Sequence, residues 1–412
     1  PLLARSRQAS SWHMRLGQLV VTPSFWAGTS LLSTALLPLS FLVSAGARLR
    51  ESVAAAPFVA PVPVVCVGGA VAGGSGKTPV ALSLATRLRS EVRVHFLTRG
   101  YGGTAQRPLQ VRPDEHDAEL VGDEAMMLAA EAPTWVAAAR SAAAAAACAS
   151  TSPPQLLLMD DGLQHHTLHR DLSLLVLDAL QPLGNGRVLP AGPLREPFAR
   201  TLGRTDAVCA VAPYADGAGA RVAAPPSEAA LRDVLGLPPD IPLLRAAMRP
   251  VDAAAARLAG RRVVGFTGTA RPHRFFDTLR ALGCELPEVC ALPDHAPLPP
   301  PLLERLRRRA EAHGALLATT AKDAARLSAA ERDGLGLHVL PMELHWLPEA
   351  EERLDRLLTP LLGRIAACSG QRRGIHESQS AKDTARPGVQ GVASDRSSCV
   401  QGVASDRSSC VQ

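Results

Sequence analysis

Lysine is nearly absent from this chain. Lys77, Lys322 and Lys382 stand against 41 arginines in 412 residues. Aromatic residues make up only 3%. None is interleaved with basic clusters, so nothing is offered for stacking bases and nucleic acid is not an expected partner. The eight cysteines are scattered without a Cys-x-x-Cys pair. That spacing argues against structural zinc and against a disulfide framework, and for a reducing compartment. Charge is missing altogether from Leu16 to Ala47. The net charge of +6 is mild; it suits an anionic substrate or a lipid surface. The excess of Ala and Arg has the look of a GC-rich genome, which weakens any reading of the basic pI.

What is present begins with a glycine-rich loop, Gly68-Gly-Ala-Val-Ala-Gly73-Gly74-Ser75-Gly76-Lys77-Thr78-Pro79. Phosphate is best held by converging backbone N–H groups, and only glycine lets the backbone come that close. In such a loop the amides of Gly73, Gly74, Ser75 and Gly76 surround the phosphates of ATP. Lys77 reaches the outer phosphates and the Thr78 hydroxyl binds Mg²⁺. The apolar run Val62–Val67 before it reads as a buried strand, and Val80–Arg89 after it as a helix. The generic spacing wants glycine where Val71 stands, but the Gly-Gly-x-Gly-Lys-Thr end is intact. In a chain with so little lysine, one at this position is informative.

Length and an apolar content of 47% allow two cores. The reading is an α/β chain. A P-loop-type parallel-sheet domain covers 51–215, a connection 216–260, and a second, smaller α/β domain 261–368. Strands are expected at Val92–Leu97, Leu156–Met159, Leu172–Asp178, Arg262–Thr267, Gly314–Thr319 and Leu337–Leu340. Helices are expected over the alanine tract 137–149 and over 273–282.

Pro1 is not an initiator, and Met14 reads as a plausible start. The segment 14–50 reads as an N-terminal membrane-associated helix, opened by Thr22-Pro23. It is long enough to reach across a bilayer, which needs about 20 residues. Pro38 interrupts it, however, and Thr29, Ser33, Ser40 and Ser44 fall on one face. That stripe could pack on protein or face headgroups while the opposite face lies in lipid. A cleaved signal peptide and a buried soluble helix are the alternatives. Beyond 368 the eleven residues Gly391–Gln401 repeat perfectly as Gly402–Gln412. With no apolar face, 369–412 reads as a disordered tail.

Several clusters carry candidate chemistry. Leu156-Leu-Leu-Met-Asp160-Asp161-Gly162-Leu-Gln164-His165 ends an apolar strand in two carboxylates. Asp160 and Asp161 are the candidate Mg²⁺ pair, with a simple turn as the alternative. Gly122-Asp123-Glu124 precedes a helical run and is either a helix cap or a catalytic acid. Arg99, in Leu97-Thr-Arg99-Gly-Tyr-Gly-Gly103, and Arg195 and Glu196, in the loop 184–197, are substrate-binding candidates on loops that could equally be ordinary surface. Gln164 and His165 join that set. His295, in Pro293-Asp294-His295, could orient an acidic base or be structural. Lys322 could meet phosphate or pair with Asp323.

Taken together these strings resemble the tetraacyldisaccharide 4′-kinase (lipid A 4′-kinase) family of Gram-negative bacteria. The matching strings are GG…AGGSGKTP at 68–79, LTRGYGG at 97–103, VGDEA at 121–125, MDDGLQHHTLHRD at 159–171, GNGRVLPAGPLREP at 184–197, PDH at 293–295 and TAKD at 320–323. They occur in family order across residues 14–366. The resemblance implies transfer of the ATP γ-phosphate, with Mg²⁺, to the 4′-hydroxyl of an acylated disaccharide lipid bearing a 1-phosphate. It implies an active site between two α/β domains, on the cytoplasmic leaflet of the inner membrane, and no obligate protein partner. It makes Asp123 the catalytic base, assisted by His295, with Lys77 on the phosphates. Gly69 and Val71 depart from the family loop, and Gly265-Phe-Thr-Gly-Thr-Ala-Arg-Pro272 from its second-domain motif. The rival from another class is a membrane-associated P-loop nucleotide-hydrolysing switch. A GTPase is disfavoured, because no Asn-Lys-x-Asp motif occurs.

Overall fold

The computed structural model describes residues 23–52, 56–214 and 225–384. Residues up to 365 form one compact unit and 366–412 a second. The first unit carries two sheets. Their strands are β1 Val64–Gly69, β2 Val94–Thr98, β3 Leu109–Gln110, β4 Thr134–Val136, β5 Leu156–Asp160, β6 Leu172–Asp178, β7 Ala207–Ala212, β8 Leu243–Pro250, β9 Arg262–Thr267, β10 Glu285–Ala291, β11 Leu316–Thr320, β12 Leu337–Leu340 and β13 Met342–Trp346. The large sheet has the order β13-β8-β7-β6-β1-β5-β2-β4-β3, and the small one β10-β9-β11-β12. The small sheet is wholly parallel. The large one is parallel from β4 to β8, with β3 and β13 antiparallel at its edges. The chain is α/β with a parallel-rich sheet.

Continuous apolar runs become central strands because helices cover both faces. Val65 and Val67 of β1 point to one core, with the helix Lys77–Leu88 and the start of the helix Pro348–Thr384. Val64 and Cys66 point to the other, with Ala143, Ala144 and Ala147. That alternation is the period of two expected of a pleated strand. β1 lies between β5 and β6, so strand order reverses around it. A crevice at the carboxyl ends is where open α/β sheets bind ligands. The small sheet repeats the plan: Val263 faces Phe275, Phe276 and Leu279, and Val264 faces Leu303 and Leu306.

Three expectations change. The segment read as a connection holds the helix Glu228–Leu235 and strand β8, which joins the large sheet. β13 and the helix from Pro348, read as part of the second domain, also return to the large sheet. The chain thus crosses between sheets twice, side by side: Val251 N–H donates to Pro341 O at 3.1 Å. The tail read as disordered from 369 continues this helix to Thr384; no proline intervenes between Pro360 and Pro387. Its repeats lie outside the described residues, as do residues 1–22.

The N-terminal segment is not one rod. A 3₁₀ turn at Ser24–Trp26 leads to short helices Leu31–Ala35 and Leu37–Ser52, with Pro38 in the first turn of the second, where a missing N–H is tolerated. No helix among the described residues is long and apolar enough to cross a membrane. The serine stripe packs on protein. Ser40 Oγ donates to Val188 O at 2.7 Å and accepts from Ala191 N–H, while Ser33 Oγ accepts from Arg187. On other faces of these helices Leu31, Leu39, Phe41, Leu42 and Leu49 are exposed.

Leu84 is fully buried where the phosphate-loop helix meets the large sheet. Leu84→Ala should lower the unfolding free energy in urea by about 2–5 kcal/mol, whereas Phe41→Ser, exposed, should change it by no more than about 0.5 kcal/mol.

Candidate active site

The glycine-rich loop leaves β1 and turns into the helix Lys77–Leu88. Gly76 caps that helix at φ 90°, and Gly73 sits at φ 102°, both in the left-handed region that glycine adopts without strain. The loop is braced by residues 193–195. Ala72 N–H donates to Pro193 O at 2.8 Å, Arg195 N–H donates to Ala70 O at 2.9 Å, and Val71 is buried and bridged to Leu194. Thus Val71, where the generic loop has glycine, is a packing residue. A Cβ on Gly69 would lie 3.0 Å from Ser75 Oγ and 3.2 Å from Lys77 Cδ, so a bare glycine leaves the lysine room.

Strand β5 delivers Asp160 and Asp161 beside this loop. The two carboxylates differ in every respect. Thr78 Oγ1 donates to Asp160 Oδ2 at 3.0 Å, and Asp160 Oδ1 is buried with no partner. Burial, then Glu124 and Asp161, push the Asp160 carboxyl up to about 7. Asp161, at φ 52°, meets Arg195 through two 2.8 Å hydrogen bonds and has Lys77 Nζ at 3.9 Å. Burial works to raise it, yet Lys77 and Arg195 hold it below the usual carboxylate range. Gln164 accepts from Arg195 and donates to Gly69 O, tying this corner to the loop. His165 is pushed down to about 4 by burial, then by Arg140 and Arg99. Arg99 is exposed.

Asp123 opens the helix Asp123–Ala129, behind Gly122 at φ 89°. A Cβ on Gly122 would lie 2.6 Å from Tyr101 O. His295 Nδ1 lies 3.0 Å and Arg326 Nε 3.2 Å from Asp123 Oδ2, and Oδ1 accepts from Glu124 N–H. Burial opposes its charge, but His295, Lys322 and Arg326 bring it down to about 2. Lys322 Nζ is 3.1 Å from His295 Nε2 and 3.1 Å from Asp294 Oδ1. An ammonium only donates, so Nε2 accepts and the ring proton sits on Nδ1, facing Asp123. His295 is itself at φ 58° and stacks edge-on with Tyr101 at 5.3 Å.

The structure therefore brings Asp123 and His295 together across the two sheets, and Lys77, Thr78, Asp160, Asp161, Gln164 and Arg195 together on the large one. Asp161 and Arg195 are bound to each other, so Asp160 alone of the aspartate pair has a free oxygen. Glu196 is elsewhere: buried, it accepts from Thr201 and binds Arg204, which also binds Glu51. Lys322 does not pair with Asp323, which instead accepts from Thr267, Thr320 and Gly268 N–H. The altered segment 265–272 places Arg271, with Arg274, on the buried Asp178 at the end of β6. Two groups escaped the sequence reading. Arg326 lies just past the short helix Ala321–Ala324 that carries Lys322, outside any motif string. Arg140 is a lone cation leading an alanine tract.

The sequence pattern of the tetraacyldisaccharide-1-P 4′-kinase family matches residues 32–359. A tetraacyldisaccharide 4′-kinase of Rhodospirillum centenum is 44% identical over 346 residues, covering 82% of this chain and 96% of that protein. One from Paramagnetospirillum magneticum is 42% identical, covering 83% and 98%. Among solved structures, LpxK of Aquifex aeolicus in complex with ATP superposes with a TM-score of 0.61 at 26% identity, over 81% of this chain and all of that one.

Asp160, with its carboxyl raised by burial, costs stability as it ionises. Protonated below its unfolded range, it loses that advantage as pH rises from about 4 to about 7. Ligand-free Asp160→Asn should therefore be more stable than the parent at pH 8, and the gap should close as pH falls toward 4. Urea denaturation at a series of pH values measures it.

Proposed function

The chain belongs to the tetraacyldisaccharide-1-P 4′-kinase family, and we propose that Asp123 holds the acceptor hydroxyl in an in-line phosphoryl transfer beside the glycine-rich loop. As an ATP-dependent lipid A 4′-kinase, the enzyme moves the γ-phosphate of ATP to the 4′-hydroxyl of a tetraacylated disaccharide 1-phosphate. The observation that carries the residue assignment is the pairing of Asp123 with His295 at 3.0 Å. Glu124, next to Asp123, is close enough to Asp160 to raise its pKa. The base and the phosphate loop therefore share one cleft.

In this reading the amides of residues 73–76 and Lys77 hold the triphosphate. Among the described residues no three His, Cys, Asp or Glu side chains are grouped to hold a metal. Mg²⁺ does not need such a cage: one or two carboxylates with phosphates and water suffice. The hydroxyl of Thr78 and the unpartnered, buried Oδ1 of Asp160 supply hard oxygen donors of that kind. Bound there, Mg²⁺ would neutralise charge on the β- and γ-phosphates. Asp161 keeps Arg195 and Lys77 in place.

A carboxylate brought down to about 2 cannot strip a proton from a sugar hydroxyl in advance. A loose phosphoryl-transfer transition state does not require it to. Asp123 accepts the hydroxyl's hydrogen bond, aligns the oxygen, and takes the proton once the new P–O bond has formed. His295 Nδ1–H and Arg326 fix the orientation of Asp123 from the small sheet.

The exposed apolar face of residues 31–52 supports a position on the cytoplasmic leaflet of the inner membrane, where the acceptor resides. The serine face stays docked on the loop 187–191 and the leucines and Phe41 enter lipid. The contact brings enzyme and an acceptor that cannot leave the bilayer together.

Labelled phosphate from ATP should appear in a tetraacylated disaccharide 1-phosphate in mixed micelles and be lost with Lys77→Ala. Steady phosphate release without lipid label would instead favour a nucleotide-hydrolysing switch. Asp123→Asn should lower kcat by about 10²–10⁴ with little change in KM. Combined Phe41→Gln and Leu42→Gln should weaken sedimentation with anionic vesicles while urea unfolding stays at the wild-type value.

A further inference from the structure

Lysine is scarce in this chain, yet Lys322 is turned inward, against the histidine that orients Asp123. It lies in the short helix Ala321–Ala324, with its side chain 19% exposed. Its Nζ is 3.1 Å from His295 Nε2, 3.1 Å from Asp294 Oδ1 and 4.0 Å from Glu124 Oε1. Burial works against its charge, but Asp123, Glu124 and Asp294 raise its pKa above the ordinary lysine value. Lys322 is thus a fixed cation set against an imidazole nitrogen.

The two ends of His295 meet opposite kinds of partner. Nδ1 faces Asp123 Oδ2 at 3.0 Å, and a carboxylate only accepts. Nε2 faces Lys322, and an ammonium only donates. The ring is therefore a neutral Nδ1–H imidazole. Asp294 Oδ1 is also 3.7 Å from Nε2. That carboxylate favours a second proton on Nε2, which would leave an imidazolium between Asp294 and Asp123. The charged groups around the ring and Lys322 are Asp123 and Glu124 from the helix Asp123–Ala129, Asp294 from the ring's own loop, and Arg326 beyond the helix of Lys322. Asp323, further back, is taken up by Arg326, Thr267 and Thr320. Three carboxylates thus face two cations, a setting that would accept a positive ring. Lys322, on Nε2 itself and holding Asp294, opposes it. The distinction matters to the base. A neutral Nδ1–H aims Asp123 and leaves its charge for the acceptor hydroxyl. An imidazolium would pair fully with Asp123, lower its basicity and compete with the hydroxyl for Oδ2.

We propose that Lys322 is a positioning residue of the transfer: by occupying His295 Nε2 and Asp294, it keeps His295 the neutral Nδ1–H donor that aims Asp123. The role rests on Asp123 as the group that holds the acceptor hydroxyl, as read above. Asp294 is the counterweight, the carboxylate that takes an Nε2 proton when Lys322 is gone.

The test compares the full chain with Lys322→Met, Asp294→Asn and the two combined. The first readout needs no substrate: ring ¹⁵N spectra of histidine-labelled protein, with His295 assigned by the signals that His295→Gln lacks. Wild type and Asp294→Asn should show a proton on Nδ1 and a bare Nε2 at neutral pH. Lys322→Met should show both nitrogens protonated, and the double variant should return to a neutral ring. Turnover should follow the ring. In Lys322→Met kcat at pH 7 should fall by roughly 10-fold or more, part of the about 10²–10⁴ that a positioned base supplies, and recover as rising pH strips the second proton. The double variant should regain part of that loss at pH 7, which a space-filling role for Lys322 would not produce. A bare Nδ1 or a protonated Nε2 in the wild type would overturn the proposal. Those spectra need only the wild-type protein, should Lys322→Met not fold. A neutral His295 in folded Lys322→Met would overturn it as well, as would wild-type kcat beside a doubly protonated ring. A wild-type protein that labels no lipid would sink the kinase reading while the His295 spectra still report the tautomer.

Discussion

Asp123 belongs to the large sheet, yet the side chains that bond it come from the small one. His295 and Arg326 converge on a single oxygen of this carboxylate, and Lys322 backs His295 from behind. In the proposed reaction the phosphate loop is supplied from the large sheet and the side chains that hold Asp123 from the small one. His295, a non-glycine residue, is held at φ 58° where the two halves meet, and Gly122 takes φ 89° beside it. Asp178 with Arg271 and Arg274 forms a second buried ionic contact between the sheets. Such contacts contribute more to register than to net stability, because desolvation cancels much of their attraction.

Charge is distributed along the cleft with a purpose. Asp161 is kept anionic and holds Arg195; Asp160 is desolvated and leaves one oxygen open. Two neighbouring carboxylates are thus driven apart in pKa, the pattern that marks different chemical tasks. Asp160 Oδ1 and Arg140 Nε are buried polar atoms without a hydrogen-bond partner among the described residues.

Much of this was legible in the sequence. Strands β6, β9 and β12 occupy the expected residues; β6 is wholly buried and β9 buried after Arg262, so both read as apolar runs, whereas β12 is a partly buried edge strand with His338 inside it. β10 did not read so, being a half-exposed strand with Pro287 inside it. The return of β13 to the large sheet was illegible because pairing partners are set by tertiary packing. Lys77, Thr78, Asp160, Asp123 and His295 were findable from motif and context. Which partner each carboxylate takes was not: Arg195 turned to Asp161 on another strand end, and Glu196 to Arg204 across the short helix Phe198–Leu202. The N-terminal stretch showed its serine stripe in advance, but not that the stripe docks on residues 187–191.

In the proposed reaction Asp123 and His295 act as one unit across the sheets. The direct test is a double-mutant cycle in kcat with Asp123→Asn, His295→Gln and the two combined. The double variant should be no slower than Asp123→Asn alone, because His295 works only through Asp123. Losses that multiply independently would contradict it, and would give His295 a role of its own in the reaction.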